Sequence, residues 1–138
     1  MFGKAALATN AYRRVAVESA ALGADSHQLI AMLLNGTLTS IAQARAALAR
    51  HDLAAKAIAA SKAIRLVDEG LKVAVDRSVG ELGESLYQLY DYCARRLLKA
   101  QLRNEDAGFA EVAALIALIE SAWSSIAPGN APTARRPA

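Results

Sequence analysis

His27, His51 and Cys93 are the residues of this 138-residue chain best suited to metal or nucleophile chemistry, and their spacing supports neither. A carboxylate-bridged metal pair in a helical bundle needs Glu followed three residues later by His on two helices. Ala24 and Leu48 occupy those positions before the two histidines. A closed zinc site needs about four ligands, and one Cys with two widely separated His does not supply them. Both histidines are therefore expected near helix ends, facing solvent. Cys93 falls on an apolar helical stripe without an activating cation, so it should pack as a small hydrophobe. No glycine-rich phosphate loop, nucleophile elbow or paired-carboxylate motif is present. The chain reads as a non-enzyme, with no catalytic, cofactor or metal residues.

Sixteen basic residues against 13 acidic ones give a net charge of +3, dispersed along the chain. A dedicated polyanion binder concentrates its cations in a stripe. The nearest approach to one is Tyr92, Arg95, Lys99 and Arg103 on one face of a helix, which leaves a nucleic-acid-binding helical domain as an alternative function. The simpler account is that cations late in a helix complement its dipole.

The elements that must carry these residues are helical. Hydrophobic residues make up 54% of the chain and aromatics only 5%, with Ala and Leu favouring helix. Asp25 and Ser26, with Gln28, resemble a capping box. The first helix is expected over about 26–50, with Gly36 inside it implying a close neighbour. Asp52 caps a second, about 53–75, whose residues Leu53, Ala57, Ala60, Ile64, Val67, Leu71 and Ala74 keep a bundle-seam spacing. Ser78 with Glu81 suggests a further cap for a third helix, about 81–103, with Leu82, Leu86, Leu89 or Tyr90, Cys93, Leu97 and Ala100 inward. Asn104 to Asp106 precede a fourth, about 107–127, with Phe109, Val112, Ile116, Ile119, Trp123 and Ile126 inward. Short turns make neighbouring helices antiparallel. The expected fold is all-α: one antiparallel four-helix bundle over residues 1–127, a short N-terminal segment packing on it, and a disordered tail over 128–138.

No secretory leader or run of about 18 apolar residues is expected to place the chain in a membrane, and the single Cys fits a reducing cytoplasm. Apolar surface nevertheless exceeds what a seam needs. Leu115, Leu118 and Ala122 lie off the fourth-helix seam, and Ala59, Leu66 and Val73 lie roughly opposite the second. Such surface invites a partner or a second copy in a structural homodimer. Tyr12, Val15, Val17 and Leu22 precede the bundle and are candidates to cover a groove until a ligand displaces them.

Four segments resemble the FliS family of flagellar chaperones. Leu89 to Leu97, reading LYDYCARRL, then Ala100, Leu102 and Asn104, is similar to its aromatic-acidic-aromatic and double-arginine signature. ADSHQLIAMLLNGTL over 24–38, ASKAI over 60–64 and ESAW over 120–123 are the others. The chain departs from the family at Leu34 and Asn35, where an aromatic and an acid are common, and at His27, where proline is customary. The resemblance implies a cytoplasmic chaperone that binds the C-terminal segment of flagellin in apolar grooves, prevents premature polymerisation and delivers it for type III export, with export-gate components as further partners. No nucleic acid or stable membrane insertion is implied. The residues expected to form the groove or lid are Tyr12, Val15, Val17, Leu34, Leu66, Val73, Tyr92, Leu115 and Leu118.

Overall fold

The computed structural model of the chain describes residues 24–126; the expected N-terminal covering segment and C-terminal tail lie outside the described residues. Helix α1 is Ala24–Ala49, within two residues of the expected start. At its far end His51 adopts a left-handed conformation (φ 62°). The Asp52 amide then donates to the Ala47 carbonyl at 2.9 Å, and the His51 amide to that of Leu48 at 3.0 Å. This pair of reverse bonds closes a helix by satisfying its last carbonyls. One residue later Asp52 starts the next helix, its carboxylate accepting from the Ala55 amide at 3.1 Å.

The second rod, α2, runs as Leu53–Arg65, a π-helical stretch Leu66–Leu71 and a last turn Lys72–Ala74. A π turn takes in an extra residue, yet the expected seam positions Val67 and Leu71 within it face the core. Lys56, Ala59, Ala60, Ala63, Val67 and Leu71 are buried, while Leu53 is exposed. Ala59, expected opposite the seam, belongs to the core because α2 is flanked by both α1 and α3 and buries a wide arc.

Asp76 accepts from the Ser78 amide at 3.0 Å and caps a single 3-10 turn, Arg77–Val79, so Ser78 does not cap the third helix, which nevertheless starts where expected. Helix α3, Glu81–Arg103, follows Gly80 at φ 101°, with no side-chain cap. That backbone conformation is one glycine adopts without penalty. Gly83, not Leu82, turns inward: a Cβ at Gly83 would collide with the Asp76 carbonyl, and Leu82 is left 79% exposed. The loop returns over the first turn of α3 and takes the space a leucine would need.

Asn104 closes α3 in the left-handed conformation (φ 54°) and does not open the fourth helix as expected. The Glu105 amide donates back to the Ala100 carbonyl at 3.0 Å. Lys56, only 4% exposed, donates from Nζ to the Gln101 carbonyl at 2.8 Å and to Asn104 Oδ1. A buried cation thus satisfies acceptors at the negative end of α3. Helix α4 is Asp106–Ser125, and its Asp106 forms a two-pronged ion pair with Arg45 of α1 at 2.8 and 2.9 Å.

Each of α1 and α3 packs against both α2 and α4, which makes an antiparallel four-helix bundle. Leu34 and Ile41, Val67 and Leu71, Tyr90, Cys93 and Leu97, and Phe109, Val112 and Ile116 form its core. Ala44, Ala60, Ala63 and Ala100 let the backbones approach between them. The expectation that no segment could span a bilayer needs correction, since α4 has the length and composition for it, with mean hydropathy 1.4. In this fold its Phe109, Val112 and Ile116 are fully enclosed by the bundle.

Gly36 has the neighbour its presence implied: a Cβ there would sit 3.4 Å from Leu66 Cδ1. That is ordinary contact, so the glycine keeps its helix-propensity cost without a steric need. Gly36→Ala should stabilise the protein by about 0.5–1 kcal/mol, read from thermal or urea unfolding. A loss of stability would mean that Leu66 cannot move aside.

Candidate partner-binding site

An apolar groove opens where α1 and α3 begin and α2 and α4 end. Ile30, Leu71, Ala74, Val79, Leu82, Leu86, Tyr90, Ile119 and Trp123 line it with Val75, Asp76 and Gly83, around a volume of about 260 Å³. That is slightly below the usual 300–1,000 Å³ of a small-molecule pocket and suits inserted side chains. Among the described residues Asp76 is the only charged one lining it, and its carboxyl is held below its usual range by the hydroxyl and amide of Ser78. The groove therefore offers apolar contact and almost no charge recognition.

The N-terminal part of α1 and the C-terminal part of α4 are tied beside this groove. The His27 and Trp123 rings stack at 4.4 Å and 10°. His27 Nε2–H donates to the Trp123 carbonyl at 2.9 Å, and the indole N–H donates to the His27 carbonyl at 2.9 Å. His27 is thus half-buried, which corrects the solvent-facing expectation; the contact joins residues 96 positions apart, beyond the reach of periodicity. His51 is exposed, as expected.

The residues expected to bind a partner do not converge on one place. Leu34 is fully enclosed in the core and has no surface to offer, which corrects its assignment. Leu66 lies half-buried against Gly36 in the α1–α2 crevice. Val73 is exposed near the end of α2, Leu115 packs partly against the core, and Leu118 is 69% exposed on α4. Tyr12, Val15 and Val17 lie outside the described residues. Sequence reasoning missed Val79, a loop residue without periodicity, and took Leu82 for core; both form part of the groove. It also passed over exposed Leu98 and Leu102, whose spacing of four off the α3 seam was the available signal.

The aromatic and arginine segment of α3 is largely engaged within the bundle. Tyr92, 36% exposed, donates its hydroxyl to Glu111 of α4 at 2.6 Å. Arg96 donates to the other oxygen of Glu111 at 2.9 Å and to Glu105 at 3.3 Å. The Tyr92 hydroxyl first, and then Arg96, hold the Glu111 carboxyl below its usual range. Arg95 pairs with Asp91 at 3.0 Å, and Asp91 also holds Lys72 of α2 at 3.0 Å. Two of the four residues of the nucleic-acid alternative, Tyr92 and Arg95, are therefore already committed to acidic partners. Cys93 is fully buried and burial pushes its thiol up to about 12, so it stays protonated at neutral pH.

The family model described as "Flagellar protein FliS" matches residues 8–130. The flagellar secretion chaperone FliS of Salmonella typhimurium is 45% identical over 119 residues, covering 86% of this chain and 88% of that protein. The Escherichia coli protein of the same name is 40% identical over 120 residues, with 86% and 88% covered. The Pseudomonas aeruginosa flagellar secretion chaperone FliSB is 37% identical over 116 residues, with 83% and 91% covered. A four-helix bundle with open apolar surface, matched by this family along nearly its whole length, belongs to the FliS family of flagellar secretion chaperones.

Proposed function

We propose that the protein binds the C-terminal segment of flagellin in the cytoplasm, blocks its premature polymerisation and delivers it for type III export. The observation that carries this reading is apolar surface left open on a bundle of this family: the end groove, with Leu82 on it, and Leu118 on α4. An amphipathic helix recognises such surface by inserting apolar side chains at helical spacing. The role is one of holding and not of catalysis, and export-gate components would receive the complex.

Calorimetry with intact flagellin and with flagellin lacking its C-terminal helical segment tests the mode. The intact subunit should bind with a negative heat-capacity change, from apolar burial and coupled folding, and the truncated one should not bind. Equal affinity for both would sink the proposal. The segment containing Tyr12, Val15 and Val17 acts in this reading as a lid that shares the ligand's place. A covered groove lowers apparent affinity in proportion to the time it is closed. Deleting residues 1–17 should accordingly tighten binding or speed association; weaker binding would make the segment a clasp.

A further inference from the structure

We infer that His27 is a positioning residue for partner binding: it braces Trp123 as a fixed wall of the end groove. Trp123 lines the groove together with Ile30 and Ile119, whereas His27 does not. His27 instead lies on the indole's face, stacked at 4.4 Å with the planes within 10°. Two 2.9 Å hydrogen bonds run in opposite directions across the same pair. The stack fixes the plane of the indole, and its N–H bond to the His27 carbonyl fixes its direction in that plane. The Trp123 carbonyl, which also accepts from the Ile126 amide at 3.2 Å, takes the imidazole Nε2–H as a second donor. All three contacts join the first turn of α1 to the last turn of α4, so the wall is held from both helices.

A side chain already held in its bound rotamer need not be ordered by the ligand, and that saving appears as affinity. Proline at position 27 would give neither the aromatic stack nor the donor. The brace therefore depends on an aromatic ring at this position, which histidine supplies in this chain. The inference rests on the flagellin-binding reading for its consequence, but not for its geometry.

The chain has a single tryptophan, so intrinsic fluorescence reports the wall directly. The full chain, His27→Ala and His27→Phe should be compared by emission maximum, by quenching with acrylamide, and by affinity for a flagellin C-terminal fragment. His27→Ala should shift the emission to the red, raise acrylamide quenching and weaken binding by about two- to tenfold, the range for freeing one such side chain. His27→Phe restores the stack without the donor, and should recover most of the emission and affinity even if the melting temperature stays lowered. That rescue separates a positioning role from a loss of bundle stability. Emission and quenching unchanged in His27→Ala would overturn the brace, and altered emission with unchanged affinity would overturn its positioning role in binding. Absence of fragment binding by the unmutated chain would instead overturn the flagellin reading, and the fluorescence arms would still decide whether His27 holds the indole.

Discussion

Phe109→Ala is expected to remove about 3–5 kcal/mol of stability, the usual cost of truncating an enclosed phenylalanine. Phe109 heads the largest fully buried side chains, and it lies in the first half of α4 beside Val112 and Ile116. Its neighbour Gly108 has no room for a Cβ against Ala100 and the Arg96 guanidinium, so α4 meets α3 closely here. Little relaxation is available to fill the space, which puts the loss toward the upper part of the range. For a bundle of this size the melting temperature should fall by roughly 10–20 °C. The effect should appear as a lower urea midpoint with an unchanged slope, because the same surface is exposed on unfolding. Leu118→Ala, on the same helix but largely exposed, should stay within about 0.5 kcal/mol. The contrast matters because α4 is apolar enough by composition for a bilayer. Similar small effects at both positions would mean that this helix is not docked in the bundle as described.

Where local chemistry decided the outcome, the sequence was legible. Asp52 starts α2 because a short acidic side chain can reach the free amide of Ala55. Phe109, Val112 and Ile116 recur at helical spacing, and all three are buried. The middle of α3 also followed its periodicity: Cys93, Leu97 and Ala100 all enter the core.

The failures occurred where the chain returned on itself. Leu82 had the right spacing to be inward, but the Asp76 carbonyl of the preceding loop occupies that side and only Gly83 fits beneath it. Asn104 has the side chain of a helix start, yet it ends α3 because it tolerates a left-handed backbone and because Lys56 reaches its amide oxygen from another helix. Lys56 had no local signal for burial; it is buried because it reaches acceptors at the end of α3, with Gln101 45 residues away. Leu53, the first of the expected seam positions on α2, is exposed just after the turn, whereas Val67 and Leu71 in the π stretch are buried as that spacing requires. The candidate site was less legible than the fold for the same reason: its groove gathers Ile30, Val79, Leu86 and Trp123 from four separate segments. Leu34 was drawn to the surface by its departure from the family pattern, whereas its packing is that of core.

Two tyrosines one residue apart, Tyr90 and Tyr92, provide the sharpest test of how α3 is phased. Successive residues with one position between them point about 200° apart on a helix, so both cannot face the core. Tyr90 is 3% exposed and burial pushes its hydroxyl up to about 12; Tyr92 is 36% exposed, with its hydroxyl on Glu111. Tyr90→Ala would leave a cavity between Cys93 and the groove and should cost about 3–5 kcal/mol, as for other large enclosed aromatics. Tyr92→Ala removes one partner of Glu111, which keeps Arg96, and leaves its site open to water, where a lost bond is readily replaced. Its melting temperature should therefore stay far closer to that of the unmutated chain. Under the proposed function, flagellin binding should separate the two further. Tyr90 lines the end groove and Tyr92 does not, so at temperatures where both variants remain folded Tyr90→Ala should bind the C-terminal fragment more weakly. If Tyr92→Ala proved the more damaging in both measurements, α3 would be rotated by roughly half a turn from the arrangement described, and the groove would have to be built from its other face.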